Sequence, residues 1–211
     1  MDETVTTAVL EEWVRRFATL VAQNRDHLTE LDAAIGDADH GSNMDRGMRA
    51  AVAALDQAPR ATAGALFTKV GMTLVSTVGG ASGPLFGTFF IRMGTSFGDV
   101  GTASPQDLAA ALRAGLGGVV ARGKAEPGDK TMYDALAPAV DALDSALAEQ
   151  SPLAAGLKVA RDAAAAGRDA TTPMLARKGR ASYLGERSVG HQDPGATTVS
   201  LLLDAAIESP F

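Results

Sequence analysis

Cysteine is absent from the 211 residues, which excludes disulfides and thiolate metal sites and fits a reducing compartment. No apolar run reaches membrane-spanning length. The start MDETVTTAVLEEWVRRF lacks the basic-then-apolar order of a signal peptide. A cytoplasmic protein without a membrane role is therefore expected. Positive charge is also short: 19 Lys and Arg stand against 25 Asp and Glu, a net charge of −6, so the basic footprint of a nucleic-acid binder is missing. Isoleucine occurs 3 times against 41 alanines, a bias away from strand formers and towards the best helix former. Segments of period 2 are scarce, and no Pro/Ser-rich linker divides the chain. One all-α domain over 1–211 is the expectation.

What is present is helical periodicity. Val9, Trp13, Phe17 and Leu20 form one stripe of a helix over about 6–23. The segment LTELDAAIGDADHGSN reads as a loop, and the next helix starts near Asn43, with Met44, Met48, Val52 and Leu55 on its face and Pro59 at its end. Leu66, Val70 and Leu74 give a helix over 64–78 although its end, TLVSTV, is β-branched. GGASGP breaks the chain before LFGTFFIRM, with Pro84 at a first helical position. Ser104-Pro105-Gln106-Asp107 has the order of a capping box and opens a helix to about Arg122. Further helices are expected over about 131–148 and 152–166, a short one after Pro173, and a last one over 196–208, about eight in all. Trp13, Phe17 and the terminal IESPF are candidates for a homodimer surface, and equally for core.

Asp32, Asp37 and Asp39 lie within eight residues, spaced by small residues and Gly36. Carboxylates this close repel one another unless a cation or strong donors compensate them. Hard divalent cations prefer such oxygens, and Mg²⁺ takes only a few of them, leaving positions for water and phosphate. The loop runs into His40-Gly41-Ser42-Asn43, where a helix N-terminus offers free N–H groups to a phosphate. The spacing is not that of an EF-hand, because no Glu follows at the required distance. A pair of aspartates that merely shapes a turn is the plainer alternative for D-x-D alone.

Three more loops are richer in glycine and charge than turns require. GGASGPLFG lets backbone amides approach a ligand closely, yet it is neither a Walker loop nor a dinucleotide fingerprint. GKAEPGDKTM offers two lysines for phosphates and Met132 to pack on a flat ring. ARKGRASYLGERSVGHQDPGATT is the densest basic stretch, with Arg177, Lys178, Arg180 and Arg187, and arginine suits bidentate phosphate contact. A Gly-x-Ser-x-Gly elbow, a cysteine nucleophile and a zinc-type histidine pair are all missing, so hydrolase readings find no support.

GDADHGSNM, GGASGPLFGTFF, GKAEPGDKTM and ASYLGERSVGHQDPGATT, in this order, closely resemble the nucleotide-binding L subunit of dihydroxyacetone kinase. The resemblance implies a barrel of eight antiparallel helices with the nucleotide at one end. It implies two Mg²⁺ ions on Asp32, Asp37 and Asp39, and ADP or ATP contacts from His40, Gly41, Ser42, Asn43, Ala81, Ser82, Gly123 and Met132. Arg180 and the turn Asp193-Pro194-Gly195 would complete them. It further implies a separate K subunit holding the keto-sugar, without which this chain is inactive. A phosphohistidine M subunit would rephosphorylate the bound ADP. Free exchange of ATP, another small ketose or a fatty acid as acceptor, and a nucleotide-state signal to a transcription regulator are the alternatives.

Overall fold

The computed structural model describes residues 3–58 and 60–211. Nine α-helices are found among the described residues: α1 Thr7–Gln23, α2 Arg25–Ile35, α3 His40–Asp56, α4 Ala63–Thr77, α5 Ser82–Phe97, α6 Pro105–Gly123, α7 Tyr133–Ala148, α8 Leu153–Ala170 and α9 Pro194–Ile207, with a 3₁₀ segment Arg180–Ser188. Eight of them close a ring. α1 packs on α3, each helix from α3 to α8 packs on its successor, and α9 returns to α1. Ring neighbours run antiparallel, and the cavity at one end is lined by the starts of α3, α5 and α9 and by the loop leading into α7. The N-termini of α3, α5, α7 and α9 therefore share one end with the C-termini of α1, α4, α6 and α8. The far end carries the start of α1, the end of α9 and two short antiparallel strands, β1 Val5–Thr6 and β2 Thr102–Ala103.

Apolar stripes at helical spacing turn inward and fill the ring. Trp13, Phe17, Phe67, Phe89 and Phe90 are all essentially solvent-free, and burial of each large side chain contributes about 2–3 kcal/mol. Phe67 stacks on Phe90 at 5.9 Å, and Trp13 meets Phe211 edge-on at 5.8 Å. Trp13 Nε1 donates to the Leu202 carbonyl at 2.8 Å, bonding α1 to α9 where the ring closes. Trp13 and Phe17 are thus core and provide no dimer face. α4 and α5 approach closely at Gly71, where an added Cβ would strike the Gly87 carbonyl.

The capping box of α6 is formed in both directions: Asp107 N donates to Ser104 Oγ at 3.1 Å, and Ser104 N donates to Asp107 Oδ2 at 2.8 Å. TLVSTV is helical down to Thr77. Several boundaries differ from the sequence expectation. LTELDAAI is the body of α2, not loop; its buried stripe is Leu28, Asp32 and Ile35, in which a carboxylate replaces the apolar residue that would have marked the period. α3 begins at His40, three residues early, because Asp32 supplies its N-terminal acceptor. Pro84 is the third residue of α5 rather than its first. The stretch after Pro173 is irregular, and the short helix lies further on, as the 3₁₀ segment. Pro59 lies outside the described residues.

Candidate nucleotide and metal site

A cavity of about 450 Å³ opens at the ring end where the four helix N-termini meet, a size suited to a small cofactor. Each N-terminus carries a partial positive charge and unpaired N–H groups. Four of them border the opening with N–H donors for an anion, while the last turns of α2 and α6 on the same wall bring the opposite partial charge.

Asp32 stands in the last turn of α2 and is 9% exposed. Its Oδ2 accepts from the backbone N–H of Asp39 at 2.8 Å and of His40 at 3.1 Å. The side chain thus satisfies the start of α3 and holds the intervening loop. That loop needs holding, since Ala38 takes φ 60, a left-handed conformation costly for a residue with a Cβ. Gly36 is needed for a different reason: a Cβ there would run into the Asp32 carboxylate. The result brings one carboxylate oxygen each of Asp32, Asp37 and Asp39 within 4.8 Å of one another. This all-oxygen donor set fits a hard cation. Arg180 faces the cluster, its Nε 2.9 Å from Asp37 Oδ2.

His40 is enclosed between three helices. Its Nδ1 lies 2.9 Å from Ser82 Oγ on α5 and its Nε2 2.8 Å from Thr198 Oγ1 on α9. Burial lowers its pKa to about 4 against the pull of Asp32 and Asp39, so the ring is neutral at physiological pH. Asp193 caps α9, its Oδ2 accepting from Ala196 N at 2.7 Å. The enclosure of its carboxyl pushes the pKa up to about 7; the Ala196 N–H acts in the opposite direction, and the Asp134 charge raises the pKa further.

The loop before α7 is locked from within. Asp134 accepts from Gly128 N at 2.6 Å and Thr131 N at 2.9 Å. Lys130, whose sequence context suggested a charge free for a ligand, stands on the cavity wall with its ammonium already hydrogen-bonded. Its ammonium donates to the carbonyls of Thr172, Met174 and Ser188.

The structure places Asp32, Asp37, Asp39, His40, Ala81, Ser82, Gly123, Met132, Arg180, Asp193, Pro194 and Gly195 on the cavity wall. Gly41, Ser42 and Asn43 do not line it. Gly41 lets α2 pack closely, since a Cβ would meet the Arg25 carbonyl. Ser42 is exposed, and Asn43 is buried with its Oδ1 accepting from Arg46 Nη2 at 2.6 Å. Gly41 and Ser42 remain in the first turn of α3, where N–H groups lack intrahelical acceptors. Sequence reasoning missed the apolar wall of Ile35, Leu85, Phe86 and Val119, and the cation of Arg122. The apolar residues carry no signal separating them from core; Arg122, a charge in the last turn before a glycine loop, was visible.

Fold and site together define a helical barrel with a cavity at one end, where four helix N-termini stand beside a carboxylate cluster. Residues 34–208 match the family model of the DAK2 domain, and the chain belongs to that family. It is similar to the PEP-dependent dihydroxyacetone kinase, ADP-binding subunit DhaL, of Escherichia coli K12, at 46% identity over 90% of this chain and 91% of that one. It is also similar to the L-erythrulose 1-kinase of Mycolicibacterium smegmatis, 40% identical over 94% of this chain but 34% of that protein. Among solved structures, the dihydroxyacetone kinase from C. freundii in complex with AMP-PNP and Mg²⁺ superposes with a TM-score of 0.74. There the identity is 29%, over 99% of this chain and 35% of that one.

Proposed function

We propose that the chain is the ADP-binding subunit of a dihydroxyacetone kinase, passing a phosphoryl group through a magnesium nucleotide to dihydroxyacetone on a separate K subunit. In this reading the bound ADP is rephosphorylated in place by a phosphohistidine M subunit. The observation that carries it is the three-carboxylate cluster, with oxygens within 4.8 Å, set among four helix N-termini on one cavity. The names of the relatives, and the AMP-PNP and Mg²⁺ of the C. freundii enzyme, support it.

Magnesium bound there would neutralise phosphate charge and stabilise the phosphoryl group in transfer. Asp32, Asp37 and Asp39 would hold it, in two ions by resemblance to the family. Asp32 is already oriented by two N–H bonds, so one oxygen is presented in a fixed direction. The unpaired amides of Gly41 and Ser42 at the start of α3, and those of Ala81 and Ser82, would be the donors for the phosphates; the His40 amide is held by Asp32 and that of Asn43 by the Asp39 carbonyl. Met132, with Leu85 and Phe86, would give an apolar seat for the base, and Gly123, where a Cβ would crowd Leu85, leaves the mouth of that seat open. The turn Asp193-Pro194-Gly195 brings a further helix N-terminus, and Arg180 adds a guanidinium beside the carboxylates. The catalysis left to these residues is positioning and electrostatics.

The test is twofold. Purified protein should carry ADP that dialysis does not remove, and with K and phosphorylated M partners it should form product from dihydroxyacetone, but none without K. Rapid exchange with labelled ATP, together with activity from K plus ATP alone, would sink the ADP-cofactor mechanism. A second acceptor is favoured by the 40% identity to an L-erythrulose 1-kinase. Erythrulose in the same assay decides between them.

A further inference from the structure

We propose that Thr198, which does not line the cavity, is a positioning residue that selects the His40 tautomer and so sets which way the Ser82 hydroxyl presents itself to the ligand. The part concerning ligand binding rests on the reading of the cavity as a magnesium–nucleotide site.

A buried run of hydrogen bonds links Ser82, His40, Thr198 and Pro194. Thr198 is fully buried, and its Oγ1 donates to the Pro194 carbonyl one turn back at 2.9 Å. A hydroxyl has one proton and two lone pairs. With that proton on Pro194, the contact of 2.8 Å to His40 Nε2 requires Nε2–H to donate to Thr198. A neutral imidazole has one N–H, so Nδ1 is left as an acceptor. Ser82 Oγ, 2.9 Å away, must then donate to it. The chain Ser82→His40→Thr198→Pro194 joins the N-termini of α5, α3 and α9 through side chains, with every proton directed the same way.

The consequence is chemical. Ser82 Oγ has no proton left for the cavity and offers it only lone pairs. A phosphate oxygen, itself an acceptor, gains nothing there and is left to backbone amides. A donor, such as water on a bound cation, is what the hydroxyl accepts from. Loss of Thr198 Oγ1 strips Nε2–H of its acceptor in a buried place. The ring then favours Nδ1–H, which donates to Ser82 and reverses its hydroxyl.

The experiment uses ¹⁵N-histidine-labelled, ligand-free protein and magnesium–ADP titration calorimetry. His27 and His191 are exposed, and replacing both by Gln leaves His40 as the one labelled ring. Wild-type protein should show His40 as the Nε2–H tautomer. Thr198→Val should shift it to Nδ1–H and weaken magnesium–ADP binding about tenfold or more, as loss of a partner behind a binding group does. Thr198→Ser should restore both. An Nδ1–H or mixed tautomer in the wild type overturns the proposal, whether or not Thr198→Val folds. So does unchanged ADP affinity in a folded Thr198→Val with a switched tautomer. Wild-type protein that shows the Nε2–H ring and binds no magnesium–ADP sinks the reading of the site instead, while the tautomer assignment stands.

Discussion

Lys130 places its buried ammonium 2.6 Å from the carbonyl oxygen of Ser188, fifty-eight positions along the chain. The same ammonium takes the Met174 carbonyl at 3.1 Å, so one charge grips both ends of the loop that carries Arg180. Hydrogen bonds to a charged group contribute about 1.5–3 kcal/mol each. Lys130→Met should lower stability in urea by at least about 2 kcal/mol, and amide exchange should speed up selectively over 172–190. Uniform exchange across the molecule would contradict a local clamp.

Asp37→Ala separates binding from stability. Its ion pair with Arg180 is largely exposed, and such pairs contribute no more than about 1 kcal/mol. Helix content and the urea midpoint should hardly move. Magnesium-dependent ADP retention should be lost, as read by calorimetry and by nucleotide released on denaturation. Retained ADP would refute the metal assignment.

Gly36→Ala tests the loop geometry. The new methyl meets the Asp32 carboxylate, which must rotate away from the amides of Asp39 and His40. Magnesium affinity should fall by at least about tenfold, with α2 intact by circular dichroism.

His40 and Asp193 give pH dependences of opposite sign in the ligand-free protein. The His40 pKa is lowered to about 4, so its contribution is full above its ordinary value of 6.5 and is lost as pH falls towards 4. The Asp193 pKa is raised to about 7, so its contribution is full below the ordinary carboxylate value and is lost as pH rises towards 7. The two slopes offset each other between about pH 4 and 6.5. Asp193→Asn keeps a good helix cap and removes one slope. Relative to wild type, the variant should gain stability as pH rises from about 4 to 7, by up to about 4 kcal/mol. A difference independent of pH would refute the buried-carboxyl assignment.

Much of this was legible in residue order. The Ser104–Asp107 box names its helix start because both partners are local, and the aspartate and glycine loops name the cavity because their chemistry is unusual for turns. What was not legible depends on three dimensions. Asp32 hides the helical period of α2 by occupying a core position. Lys130 reads as a solvated loop cation until the carbonyls of a distant loop are seen around it. Leu85, Phe86 and Val119 look like any core residues, and only ring closure leaves their faces open to a cavity. Gly41 reads as part of a ligand loop, whereas its missing side chain admits the Arg25 backbone.

The number of helices in the ring is even, and this has a consequence for how the domain can be joined to others. With alternating directions, α1 enters and α9 leaves at the same pole, opposite the cavity. Tethers at either terminus therefore pull on the opposite pole and leave the cavity mouth unobstructed. The relatives show both arrangements: the chain matches 91% of the length of the Escherichia coli DhaL subunit and 34% of that of the Mycolicibacterium smegmatis L-erythrulose 1-kinase.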